Sequence, residues 1–103
     1  MSDPVTGTFT ATGQSGSFKP VMRTMAWGTF NVSASGTFVA TVQLERSFDG
    51  GSNWFVCSSD ASGTAASWTA PFSVIAEEPT PGVIYRLNCT AYMSGTVTYR
   101  ISQ

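Results

Sequence analysis

The chain has 103 residues, one domain's worth, and at this length folding buries roughly two-thirds of the surface the unfolded chain exposes. Aromatic residues (13%) outnumber charged ones (11%), so Ser, Thr, Gly and Asn must supply much of the surface. Five Lys and Arg against six Asp and Glu, with no basic run, argue against nucleic acid as a partner. No stretch approaches the roughly 18 apolar residues of a membrane span, and "MSDPVTGTFTATG" has neither a basic nor an apolar leader region, so synthesis in the cytoplasm without Sec export and no membrane partner are expected.

Helical spacing is nearly absent and period-2 alternation recurs between Gly-rich breaks, which predicts an all-β chain. In "VTGTFTATG", Val5, Gly7, Phe9 and Ala11 share one face and Thr6, Thr8, Thr10 and Thr12 the other. "QSGS" breaks this run, and "FKPVMRTM" carries Pro20, which suits an edge or connecting segment. Residues 1–27 differ in texture, being rich in Gly, Ser and Thr. They read either as an ordinary first strand or as an arm that pairs with a neighbouring copy or a capsid, with Phe9 and Phe18 as candidate assembly contacts.

From residue 28 to 103 the sequence reads as the body of the domain. "AWGTFNVSA" sets Phe30, Val32 and Ala34 against Asn31 and Ser33, and Ser35-Gly36 turns the chain. "TFVATVQLERS" places Phe38, Ala40, Val42 and Leu44 on one face, and after "FDGGSN" the run "WFVCSS" returns as its antiparallel partner. "DASGTA" is a loop, and "SWTAPFSVIA" alternates Trp68, Ala70, Phe72 and Val74, with Pro71 marking an edge or a bulge. "EEPTPG" is a polar connection. The last strands are "VIYRLNCTAY", with Val83, Tyr85, Leu87, Cys89 and Ala91 inward, and "TVTYRIS", with Val97, Tyr99 and Ile101 inward, joined by a hairpin at Ser94-Gly95. Seven to eight short antiparallel strands at this spacing predict a single β-sandwich with Greek-key or jelly-roll-like connections. Cys57 and Cys89 read as two buried thiols, a disulfide being the other reading, and two Cys without His supply neither a zinc site nor a Cys–His nucleophile.

The stretch "SFDGGSNW", residues 47–54, has the S-x-D-x-G-x-x-W spacing of the Asp box repeated in sialidases, with Asn53 where that family usually has Thr. The box is a device of the fold. Asp49 accepts backbone N–H groups, Gly50 and Gly51 make the turn, and Trp54 packs beneath the hairpin that Ser47 opens. The resemblance covers these eight residues alone. Sialidases clamp a carboxylate with three arginines and pair a tyrosine nucleophile with a glutamate, whereas Arg23, Arg46, Arg86 and Arg100 are scattered here and Glu77-Glu78 read as a solvated turn. No enzyme, cofactor or metal is expected.

A wider resemblance spans about residues 28–103. "GTFVATVQLERSFDGGSNW", then "TAPFSV", then "EEPTPGVIYRLNCTAYMSGTVTYRISQ" resembles small all-β proteins encoded among the virion genes of tailed bacteriophages, most particularly at Leu44–Trp54 and from Tyr85-Arg86-Leu87 to Tyr99-Arg100. The resemblance implies a virion structural protein on the capsid surface. The leading expectation is a head decoration or cement protein that bridges major capsid protein subunits and associates with itself, a trimer being favoured. Two alternatives are a carbohydrate- or receptor-binding module of a tail or fibre, with Trp27 and Trp68 as candidate sugar-stacking residues, and a head–tail connector or tail component.

Overall fold

The computed structural model describes residues 4–21, 28–57, 66–78, 80 and 82–103. Among these, alternation of apolar with Thr, Ser and Asn side chains builds nine strands: β1 (Val5–Phe9), β2 (Gly13–Gln14), β3 (Thr29–Ser35), β4 (Phe38–Ser47), β5 (Phe55–Val56), β6 (Ser67–Trp68), β7 (Phe72–Glu77), β8 (Ile84–Gly95) and β9 (Val97–Ser102). The first strand pairs with the last, the second with the second-last and the third with the third-last, while β4 pairs with both β5 and β6. With β9 also beside β3 and β8 beside β4, the sheets have the orders β1-β9-β3-β7 and β2-β8-β4-β5, every pair antiparallel. This nesting is the jelly-roll arrangement of a β-sandwich.

The core lies between the sheets. Phe9, Phe30, Val32, Val97 and Ile101 come from one sheet and Val42, Leu44, Tyr85, Leu87 and Cys89 from the other, all buried. Phe30 meets Phe18 and Tyr85 with ring centroids 5.6 and 4.6 Å apart, so aromatic packing ties the two layers together at one end.

Several connections differ from the sequence reading because successive strands change sheet. Ser94-Gly95 is no hairpin, since β8 belongs to one sheet and β9 to the other. The crossing at Gly95 runs against the β3-to-β4 crossing at Gly36, and a Cβ on Gly95 would lie 2.1 Å from the Thr37 carbonyl oxygen while one on Gly36 would lie 2.5 Å from that of Thr96. Both glycines have positive φ, 107° at Gly36 and 88° at Gly95. The run from Trp68 to Val74 likewise splits at Pro71 into β6 on one sheet and β7 on the other, which leaves Ala70 exposed. In β8 the pairing with β4 slips after Cys89 and again before Ser94, and these bulges put Ala91 on the outside and turn Tyr92 inward.

Of the two readings of the N-terminal segment, the structure has the first strand. β1 pairs with β9 along its whole length, Gly13–Gln14 joins the other sheet, and Phe18 exchanges backbone hydrogen bonds with Tyr85 at 2.8 Å each way. Phe9 and Phe18 are therefore core residues, 5% and 1% exposed, and not assembly contacts. Burial of the two aromatic rings, together with the backbone pairing of β1 and β2, works against the ordering entropy of this Gly-rich segment.

Candidate interaction surface

Among the described residues one long side of the sandwich is open, and the β4 backbone shows how. The Leu44 N–H donates to the Ala66 carbonyl at 3.0 Å, the Cys57 N–H donates to the Leu44 carbonyl at 2.9 Å, and the Ala66 N–H donates to the Cys57 carbonyl at 2.8 Å. β5 and β6 are thus two pieces of one strand along β4, leaving it at Cys57 and rejoining it at Ala66, at a single register position. Between this interrupted edge and β7, the edge of the other sheet, lies a groove of about 630 Å³. Its walls include Phe48, Phe55, Val56 and Trp68 on one side and Val74, Ile75 and Glu77 on the other, with Leu44 and Tyr85 also lining it. Phe48 and Phe55 are more than half exposed and pack together at 5.9 Å, and Ile75 is 80% exposed. A smaller apolar hollow of about 270 Å³, lined among others by Val39, Tyr92 and Met93, adjoins the bulged end of β8.

A polar network lines part of the large groove. Glu78, only 3% exposed, accepts hydrogen bonds from the Arg46 guanidinium and from the Tyr85 hydroxyl at 2.8 Å through Oε1, and from the Thr80 N–H at 3.1 Å through Oε2. Arg46 also lies over the Phe48 ring at 4.6 Å, and among the described residues its Nε is buried with no hydrogen-bond partner. The expectation of a solvated turn is thus corrected at Glu78, while Glu77 beside it stays exposed. Tyrosine hydrogen-bonded to glutamate beside an arginine is the pairing a sialidase uses as nucleophile and base. Here Tyr85 is 4% exposed, and burial together with its hydrogen bond to Glu78 pushes the phenol well above its usual range, which disfavours a phenolate. Both Glu78 oxygens are already occupied, so the arrangement serves as an anchor for β4, β8 and the connection between β7 and β8.

The turn at residues 47–54 sits beside this groove. The fully buried Ser47 hydroxyl donates to Asp49 Oδ1 at 2.8 Å and accepts the Gly51 N–H at 2.9 Å. Asp49 accepts the Asn53 N–H at 2.9 Å and the Asn53 amide at 2.7 Å, and these bonds, with that from Ser47, hold its carboxyl down at about 2. Gly50 and Gly51 carry positive φ of 73° and 103°, and a Cβ on Gly51 would touch the Trp54 ring at 3.5 Å. Trp54 is half-buried, and the Arg86 guanidinium stacks over it at 4.1 Å. Sequence reasoning assigned the turn's acceptor role to Asp49 and missed that Ser47 holds an equal share. The outer face continues as a polar ladder, with Glu45 accepting from Arg86 at 2.8 Å and from Asn88 at 2.9 Å, and Gln14 donating to Asn88 at 3.2 Å.

Trp68 lines the groove with one ring face stacked on Phe72 at 3.9 Å. Trp27 and Arg23 lie outside the described residues. Cys57 and Cys89 are free thiols; burial pushes Cys57 up to about 11 and raises Cys89 as well. No group of three or more His, Cys, Asp or Glu that could hold a metal ion occurs among the described residues, and no helix there is long and apolar enough to cross a membrane. Comparison with protein families, with curated proteins and with solved structures finds no match for this chain.

Proposed function

We propose that this chain is a structural protein of a bacteriophage virion, a non-enzymatic head decoration protein that binds the major capsid protein and stabilises the shell from outside. The observation that supports the reading most is the open side of the sandwich. A 10.9 kDa chain with a well-filled core still presents Phe48, Phe55, Val56 and Ile75 to water around one groove, and contiguous apolar side chains on a small protein mark a contact surface. The outer face of β1, β9 and β3, which bears Thr6, Thr8, Thr98, Ser33 and Ser35, suits further lattice contacts of modest strength, repeated by symmetry. The resemblance of residues 28–103 to phage virion proteins directs these contacts to a capsid and favours trimers. Jelly-roll sandwiches serve in capsids and in lectins alike, so the fold by itself does not choose between them.

The test is electron cryomicroscopy of purified particles with and without the protein. Density of this size at regular positions outside the shell is expected. Density confined to the tail, or none, would overturn the reading. The second reading, a carbohydrate-binding module, is favoured by one observation, the Trp68 ring lining a groove that also holds Phe55 and Glu77. It predicts acrylamide quenching of tryptophan fluorescence that an added sugar relieves.

A further inference from the structure

The free edge of β7 has a feature that the capsid reading does not use. The Glu78 N–H donates to the Gly28 carbonyl, which makes that pair a hydrogen-bonded one in the antiparallel ladder. Such pairs alternate with non-bonded ones, and β3 and β7 keep one unbroken register, so Phe72, Val74 and Ala76 turn their backbone groups toward β3. The N–H and C=O groups of Ser73, Ile75 and Glu77 then point away from the sheet, and β7 is its end strand, with no described residue paired on that side. Natural edge strands are ordinarily blunted by lysine, proline or a bulge. Within "FSVIAE" there is no Lys, no Pro and no register shift, and the most exposed apolar side chain is Ile75.

We propose that two copies of this chain associate by antiparallel pairing of their β7 edges about a two-fold axis at Ile75, making one continuous sheet from the two four-stranded ones. The pattern of the strand is self-complementary in this register and commits the edge to a second copy. Ile75 faces its own symmetry mate, and Ser73 of each copy faces Glu77 of the other. All three outward backbone positions are satisfied at once, and the only charge on the strand meets a hydroxyl in place of a second carboxylate. A one-position slip would turn inward-bonded residues toward the partner, and a two-position slip would strand one pair of outward groups. On the inner side, Val74 meets Ala76 of the other copy and both line the open groove, so pairing also covers apolar surface there. The proposal concerns the free protein, in which the pairing covers Ile75 and the β7 wall of the groove that the capsid reading gives to the shell, so the two contacts compete for that wall.

Sedimentation velocity of the full chain, from low micromolar to millimolar concentration, should show a species of twice the 10.9 kDa chain mass that dissociates on dilution. Ile75→Lys places like charges on either side of the axis and should abolish that species while leaving the melting temperature of the dilute, monomeric protein unchanged, since the side chain is 80% exposed. Register is read separately by cysteine. In a hydrogen-bonded pair the Cα atoms lie about 5.5 Å apart, within disulfide range, so Ile75→Cys should cross-link to itself under mild oxidation. Ser73→Cys should not, because its symmetry mate lies four residues along the strand, roughly 13 Å away. A monomer at all concentrations, a trimer, a dimer that survives Ile75→Lys, or cross-linking of Ser73→Cys in place of Ile75→Cys would each overturn the proposal.

Discussion

Adding one methyl group at each of two glycines separates backbone strain from steric exclusion. Gly50 and Gly95 both have positive φ, 73° and 88°, so alanine meets a comparable conformational cost of about 1 kcal/mol at either position. Their surroundings differ. A Cβ on Gly50 meets nothing within 4 Å, whereas one on Gly95 lies 2.1 Å from the Thr37 carbonyl oxygen and 2.6 Å from the Phe38 Cα. Neither of those atoms can rotate away, because both belong to the backbone of the opposing crossover. The same Thr37 oxygen accepts the Thr96 N–H at 3.1 Å, so relieving the overlap stretches a hydrogen bond that pins the two crossings together. Overpacking adds about 1–3 kcal/mol and the weakened bond about 1, which brings Gly95→Ala to about 3–5 kcal/mol against about 1 for Gly50→Ala. In a domain whose whole stability is on the order of 5–15 kcal/mol, Gly95→Ala sits near the folding limit. At roughly 4–8 °C per kcal/mol for a chain of this size, the two variants should melt about 8 °C or more apart. Calorimetry or circular dichroism checks it. Equal melting temperatures would mean that the two crossovers do not abut and that the sheets are joined in another way.

Hydrogen bonds from Asn53 and Ser47 hold Asp49 at about 2, below its ordinary value of 3.8, so its stabilising effect is whole above about pH 4 and is lost as pH falls through about 2. The melting gap between the parent and Asp49→Ala should therefore be constant at neutral pH and narrow steadily in acid; a gap independent of pH would contradict the hydrogen-bonding account. Glu78→Gln leaves the Arg46 guanidinium without its counter-charge and should cost about 1–3 kcal/mol in thermal or urea melts, less than a fully buried pair because Arg46 remains 31% exposed. Cys89 should resist alkylation in the native protein and Cys57 should react slowly, both becoming fully reactive in denaturant, since burial raises both thiols and Cys89 is only 1% exposed. Deleting residues 1–19 should collapse the fold, because it removes the partner of β9 and empties the Phe9 and Phe18 positions in the core; a soluble variant with an unchanged melt would restore the arm reading.

Strand positions and their inward faces were legible in the sequence wherever a strand is long and regular. Phe30, Val32 and Ala34 of β3, Val42 and Leu44 of β4, Tyr85, Leu87 and Cys89 of β8, and Val97, Tyr99 and Ile101 of β9 all point into the core as their alternation predicts. The alternation fails at Ala91, where an extra residue in β8 reverses its phase, and no residue type announces a bulge. The buried network beside the groove was beyond reach for a related reason. Glu78 stands next to exposed Glu77 in a Pro-rich connection, and only the positions of Arg46 and Tyr85, 32 and 7 residues away along the chain, make it a buried anchor. By contrast the turn at Ser47–Trp54 is local, so its spacing alone placed Asp49, Gly50, Gly51 and Trp54.

Sheet membership is the information that alternation cannot carry, because an inward residue looks the same from either layer. What distinguishes a crossover from a hairpin here is the approach of another chain segment. At Ser94-Gly95 and at Ser35-Gly36 the local sequence is that of an ordinary turn, and the reason for glycine in each is the backbone of the other, some sixty residues distant. Pairing with β4 ends at Trp68, and the chain passes through Thr69, Ala70 and Pro71 to the other sheet, where β7 becomes an edge. The same crossing that closes the jelly roll therefore opens its side: β6 and β7 part between Trp68 and Phe72, and the groove and the edge of Ser73, Ile75 and Glu77, unpaired among the described residues, both lie where they diverge. The exposure of Phe55, Val56 and Ile75 around that groove is thus a product of topology, set by where the chain changes layer.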